Sequence, residues 1–226
     1  MLTEKVKQLT DHIKSTAIQY GRNPENILML AVSKTQNAEC IRVAWQAGVR
    51  HFGENYLQEA LSKQKVLEDL AIVWHFIGPV QSNKVPAISA HFDWIHSLSR
   101  DKIAHLLNAH RPENLPPLQV CIQVNLDLED SKSGVSPEEC TELAHTVQAL
   151  PRLKLRGLMA IPEPKTSFDE QYASLQRLTQ LQAHLNQTGD FKLDTLSMGM
   201  SEDMDAAIKA GSTILRIGRS LFGERK

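Results

Sequence analysis

The sequence predicts an α/β domain folded as a single (β/α)8 TIM barrel, on three observations. Short continuous apolar runs alternate with helical periodicity along the whole chain, giving about eight strand–helix units. The first of these runs ends in "SKTQN" with no glycine-rich turn, which disfavours the rival architecture, an open doubly wound sheet. No Pro/Gly/Ser-rich linker divides the 226 residues, so one domain over 1–226 is expected, with residues 1–22 as an N-terminal helix packing on the barrel.

The elements follow in order. Leu2, Val6, Leu9, Ile13, Ala17 and Tyr20 recur in steps of three and four, the mark of an amphipathic helix, and "GRNPEN" breaks it. "ILMLAVS" is the continuous run expected of a parallel strand covered on both faces. Residues 38–47 read as helix ending at Gly48, "VRHFG" as strand, 55–70 as helix and "IVWHFIG" as strand. A short helical piece leads to the strand "FDWIHSL", then "RDKIAHLLNAH" reads as helix and "PPLQVCIQVN" as strand. "SPEECTELAHTVQAL" opens a helix with Ser136 as N-cap, Pro137 at the first helical position and Glu139 three residues after the cap. "LKLRGLMAI" is strand, 168–187 helix, "LDTLSMGM" strand and "SEDMDAAIKAG" helix; "STILRIG" closes as strand, followed by "RSLFGER".

Composition excludes several function classes. The chain is 42% hydrophobic and 23% charged, with 25 basic against 26 acidic residues and a formal net charge of −1. No basic block stands out, which argues against nucleic acid as partner. No transmembrane span appears, and the charged N-terminus lacks a signal-peptide core, so a soluble, cytoplasmic protein with no membrane partner is expected. Cys40, Cys121 and Cys140 are far apart and form no CxxC pair, supporting neither a zinc site nor a disulfide scaffold. His51 and His75 sit mid-strand with no carboxylate or Cys partners to complete a triad or metal set, and read as structural; no metal site is expected.

In a barrel, chemistry gathers where strands end. The strand ends offer Lys34, Asn55, Lys84, Ser97, "VNLDLEDSKSG", Met159, "SMGMS" with Ser201, and "RIGRS" with Arg216, Gly218 and Arg219. The loops after strands seven and eight frequently hold a phosphate in such folds. Ser201 can cap the next helix and offer its hydroxyl, and Gly218 lets an anion approach the backbone N–H groups of Gly218 and Arg219. Each motif alone also fits a plain cap or turn; their adjacency favours a phosphate cradle. Met198 and Met200 flank Gly199 and fit packing as well as ligand contact. Strand one of a barrel lies beside strand eight, which places Lys34 next to that cradle. A lysine partly desolvated among cations has a lowered pKa, and its neutral amine forms Schiff bases with carbonyl compounds. Lysine plus phosphate cradle points to a phosphorylated aldehyde, pyridoxal 5′-phosphate (PLP) foremost, with Arg216 facing the ring nitrogen.

The text around Lys34 and the motifs "FGENYLQE", "WHFIGPVQSNK", "SKSG", "GLMAI", "SMGMSEDMDAAIKAGST" and "RIGRSLFGER" resembles the YggS/PROSC family of pyridoxal phosphate homeostasis proteins, from about residue 25 to 225. The resemblance implies the alanine racemase N-terminal-domain-like barrel of fold type III. It implies Lys34 as the covalent aldimine lysine, Ser201 and the Gly218–Arg219 backbone as phosphate contacts, and Arg216 near the pyridine nitrogen. Asn55 and Met200 match positions lining the cofactor. The family often carries threonine after "RIG"; here it is Arg219, which keeps the N–H and leaves the direction of the guanidinium open.

Two function classes follow. One is a non-catalytic PLP-binding protein of intracellular PLP homeostasis, buffering the cofactor or delivering it to apo PLP enzymes, and expected to be a monomer. The other is a PLP-dependent amino-acid racemase. Alanine racemases take their opposite base from a tyrosine in a second, β-rich domain. The sequence ends at Lys226, just past strand eight, and Tyr20, Tyr56 and Tyr172 are its only tyrosines, so the carrier is favoured. An open site also suits handover better than catalysis, which gains from excluding water. A phosphosugar aldolase using Lys34 is the weaker third reading, because barrel aldolases place the lysine on a later strand among carboxylates.

Overall fold

The computed structural model describes residues 1–127 and 133–223, so part of the "SKSG" motif and the end of "RIGRSLFGER" lie outside the described residues. Among the described residues the chain runs α1 (Leu2–Gln19), β1 (Leu28–Val32), α2 (Ala38–Gln46), β2 (His51–Glu54), α3 (Leu57–Val66), β3 (Val73–Phe76), α4 (Val85–His91), β4 (Trp94–Leu98), α5 (Asp101–His110), β5 (Leu118–Gln123), α6 (Cys140–Gln148), β6 (Leu153–Met159), α7 (Phe168–Thr188), β7 (Thr195–Ser197), α8 (Met204–Ala210), β8 (Ile214–Ile217) and α9 (Arg219–Phe222). The strands close a parallel barrel in sequence order, as the alternation predicts. Their outward side chains, among them Ala31, Phe52, Phe76, Ile95 and Val120, are buried against the helices. Burial on both faces explains why the strands read as unbroken apolar runs.

Closure fixes where the site forms. Leu30 pairs with Arg216 and Ala31 with Ile217, so the segment leaving β1 at Lys34 runs beside the segment leaving β8 at Gly218. Side chains alternate across a strand, and Val32 and Lys34 both face the same inner space.

Several boundaries near the site differ from the sequence reading. α3 begins at Leu57, which leaves Asn55 in the loop above β2. Ser136 and Glu139 make the reciprocal capping-box bonds, with the first i→i−4 bond from Cys140 N–H to the Ser136 carbonyl, so the helix proper starts at Cys140. α8 starts at Met204 with Asp203 at its N-cap, not Ser201. The Ser201 hydroxyl is engaged elsewhere, accepting the Ser220 N–H at 3.2 Å. β7 ends at Ser197 because Gly199 turns the chain at φ +91°; a Cβ there would also meet the Ala207 Cβ at 2.4 Å.

α1 packs along α2, α8 and α9, burying Val6, Ile13 and Ala17. Beyond its C-terminal end, Tyr20 joins Phe168 and Tyr172 around the Lys209 ammonium, at 5.8, 5.1 and 4.4 Å from the ring centroids. Lys209 is exposed, so the contact contributes about 0.5–1 kcal/mol. Lys209→Ala is therefore expected to lower the urea midpoint by that equivalent; an unchanged midpoint would mean the rings pack as well without the cation. Among the described residues, no helix is long and apolar enough to cross a membrane.

Candidate functional site

A pocket opens at the C-terminal ends of the strands. Lys34, Asn55, Met200, Ser201, Arg216, Gly218 and Arg219 all line it, although they come from four separate strand ends. Val32, Ile77 and Met159 form apolar walls, and Met200 and Ile161 are exposed at 38% and 44%. Lys84 and Ser97, also at strand ends, do not reach the pocket. Ser97 is buried and donates to the Gly78 carbonyl. Gly78 itself is pressed against the Asn55 backbone, where a Cβ would stand 2.2 Å from the carbonyl oxygen. That contact holds Asn55 at the rim, with its side-chain Oδ1 buried and without a hydrogen-bond partner among the described residues.

Lys34 is half-buried and held by its neighbours in sequence. Behind it, Lys63 on α3 is 6% exposed and donates to three oxygens: the Ser33 carbonyl at 2.7 Å, Glu54 Oε1 at 2.7 Å and Glu59 Oε1 at 2.6 Å. Glu59 Oε1 also accepts the Thr35 N–H at 2.6 Å, and the Ser33 hydroxyl donates to Glu54 at 2.6 Å. Both peptide groups flanking Lys34 are thus gripped by one buried ion cluster. It also secures Thr35 at φ +66°, a conformation that costs a β-branched residue energy. Burial raises the Glu54 carboxyl above its usual value, against the lowering by hydrogen bonds from Lys63 and Ser33.

Arg216 enters from β8 and is 5% exposed. Its Nη1 donates to the Ser197 carbonyl at 2.5 Å and Oγ at 3.0 Å, and Nη2 donates to the Ala160 carbonyl at 2.9 Å. These contacts are neutral oxygens. Burial pushes the guanidinium down to about 10, opposed by the charge of Asp203, so it remains a cation at neutral pH. Asp203 is pushed up by burial, opposed by the Met200 N–H bond and by Arg216. Arg219 points outward and pairs with Glu202 at 2.7 Å, both side chains 67% exposed, which settles the direction the sequence left open. Arg219 still lines the pocket.

Sequence reasoning missed Glu54, Glu59, Lys63, His96 and Ser197. The Glu59–Lys63 spacing of four on α3 was a legible ion pair, but nothing local tied it to Lys34. Cys121 and Cys140 are free thiols whose burial pushes each up to about 12, so both stay protonated at neutral pH.

Residues 19–226 match the family model of the alanine racemase, N-terminal domain. The pyridoxal phosphate homeostasis protein of Pseudomonas aeruginosa is 52% identical over 224 residues, covering 99% of this chain and 96% of that protein. That of Escherichia coli is 48% identical over 227 residues, covering 99% and 97%. The solved structure of PipY from Synechococcus elongatus with PLP bound has 34% identity and a TM-score of 0.86, covering 99% of this chain and 100% of that one. Alanine racemase of Clostridium difficile, at 13% identity and a TM-score of 0.77, shares the fold over 98% of this chain and 57% of its own. By these matches the chain belongs to the alanine racemase N-terminal domain family and, within it, to the pyridoxal phosphate homeostasis proteins.

Proposed function

We propose that this chain binds PLP at Lys34 and buffers or delivers it in the cytoplasm, without turnover of its own. The observation that carries the reading is the meeting of a primary amine, a buried arginine and two backbone-rich loops in one pocket. The PLP-bound PipY structure and the names of the bacterial relatives support the ligand. Three free cysteines support a reducing compartment.

The donor set fits the cofactor. PLP, when bound, supplies an aldehyde that condenses with a primary amine, and a phosphate. Lys34 is the amine. The Ser201 hydroxyl and the backbone N–H groups of Gly218 and Arg219 serve the phosphate, on loops tied together by the Ser220–Ser201 bond. Arg216, cationic and able only to donate, would serve the pyridine nitrogen as a hydrogen-bond donor. Asn55 Oδ1, without a partner among the described residues, could accept a hydrogen bond from the cofactor, and Met200 at the mouth would line it.

The carrier reading is favoured over an amino-acid racemase by the tyrosines. Tyr20 and Tyr172 pack on Lys209, and Tyr56 is 57% exposed outside the pocket wall. None stands opposite Lys34 as a second proton donor. The deciding experiment is transfer: PLP-loaded protein should activate an apo PLP enzyme at least as fast as free PLP at equal concentration. Slower activation than free PLP would remove delivery and leave buffering; sustained racemisation across an amino-acid panel at ordinary enzyme rates would overturn the carrier reading. Arg216→Gln is expected to weaken PLP retention about tenfold and shift its absorbance. An identical spectrum and retention would remove Arg216 from the ring nitrogen.

A further inference from the structure

A chain of buried side chains that the proposed function leaves unused crosses the barrel interior. His51 Nδ1 lies 2.9 Å from His75 Nε2, and His75 Nδ1 lies 2.8 Å from His96 Nε2. His96 Nδ1 lies 2.7 Å from Ser197 Oγ, which accepts from Arg216 Nη1 at 3.0 Å. The chain starts at half-buried His51 on β2 and passes through β3 to β4. It then spans the interior to β7, which is not a neighbour of β4 in the barrel, and ends on the cation of β8.

The chemistry of the last member gives the chain a direction. A guanidinium has donors only, so Ser197 Oγ accepts from it. The Ser197 hydroxyl hydrogen then has His96 Nδ1 as its acceptor. Burial keeps the imidazoles neutral: His96 is pushed down to about 3, His75 well below its usual value, and His51 lowered. A neutral imidazole has one donor and one acceptor, so accepting at Nδ1 places the hydrogen of His96 on Nε2. That Nε2–H donates to His75 Nδ1, and the same step passes from His75 to His51. The reverse order would aim an N–H at an oxygen already bonded to a cation. It would also strand the buried hydroxyl hydrogen without an acceptor, which is costly in a low-dielectric interior.

We infer that His75, His96 and Ser197 are positioning residues, a one-way donor chain that turns a serine lone pair to Arg216 and so holds its guanidinium for the pyridine nitrogen of PLP. The inference rests on the cofactor reading above. The chain ends on a group that does not release its proton, so it orients and does not conduct.

The test has a cofactor-free arm and a loaded arm. Long-range ¹H–¹⁵N spectra of the wild-type apoprotein should show His51, His75 and His96 all as the Nε2–H form; an Nδ1–H at any of them overturns the direction. In the loaded arm, His96→Phe removes the acceptor while keeping a ring, and His96→Asn keeps an oxygen where Nδ1 stood. His96→Phe should weaken PLP retention about tenfold and shift the absorbance, and His96→Asn should restore both. If all three proteins behave alike, the positioning role is wrong. Ser197→Ala, which deletes only Oγ, replaces His96→Phe should that variant not fold. If wild-type protein takes up no PLP, the function reading fails, and the apoprotein spectra still decide the chain.

Discussion

Lys34→Ala protein, mixed with PLP and passed through a desalting column, is expected to emerge colourless, whereas the wild type emerges yellow. Borohydride reduction before mass spectrometry should add one PLP to the wild type and none to the variant. The other contacts proposed for PLP, from Arg216, Ser201 and the Gly218–Arg219 backbone, would be non-covalent, and these residues line a pocket whose mouth carries exposed Met200 and Ile161. Loss of the covalent link should weaken retention roughly a hundredfold, about 2.8 kcal/mol at 1.4 kcal/mol per tenfold. Lys34 is half-buried at the end of β1, so its truncation should leave the unfolding midpoint of the apoprotein nearly unchanged. A reduced adduct that persists in Lys34→Ala would move the anchor to another lysine, with Lys165 of the pocket wall the first to examine.

Lys63→Met should be the most destabilising single change near the site. It removes the ammonium that pairs with Glu54, which is fully buried, and with Glu59, and strands the Glu54 charge. Breaking a buried pair by deleting one partner costs about 3–5 kcal/mol. The deficit should depend on pH. Burial already raises the folded-state Glu54 carboxyl above its usual value, and without the Lys63 hydrogen bond and charge it rises further. A carboxyl with a raised folded value binds a proton more tightly folded than unfolded, so the variant gains stability as pH falls through that raised value toward the unfolded one. Denaturant midpoints of wild type and variant should converge on acidification; parallel curves would show that Glu54 is not the stranded charge. The Thr35 amide, freed from the Glu59 grip, should also exchange faster.

Much of the barrel was legible because its strands are covered on both faces, and such strands are unbroken apolar runs. Lys34, Ser201, Arg216, Gly218 and Arg219 could be read as neighbours for a topological reason: parallel strands end on one face, and the first closes on the last. Asn55 was legible as a strand-end residue and Met200 as packing or ligand contact, but only the family resemblance implied that they line a cofactor, since neither residue type announces a ligand. The N-cap position expected of Ser201 is occupied by Asp203, which makes no side-chain cap bond and instead accepts the Met200 N–H, while the Ser201 hydroxyl accepts the Ser220 N–H. His51 and His75 read from the sequence as structural mid-strand residues, and their line through His96 to Ser197 was invisible. It depends on the stagger of four strands and on a bond across 101 residues of chain.

By itself, then, the sequence determined the alternation of strands and helices, the single barrel, and the strand ends that carry polar chemistry. These follow from periodicity and turn chemistry, which act over a few residues. Only the tertiary structure decided which cation faces the pocket as Arg216 does, which turns outward to a carboxylate as Arg219 does, and which, as Lys63 does, serves to hold another lysine in place. Those roles depend on burial and on partners brought together by barrel closure, and the energy of a charge is set by what surrounds it rather than by its position in the chain.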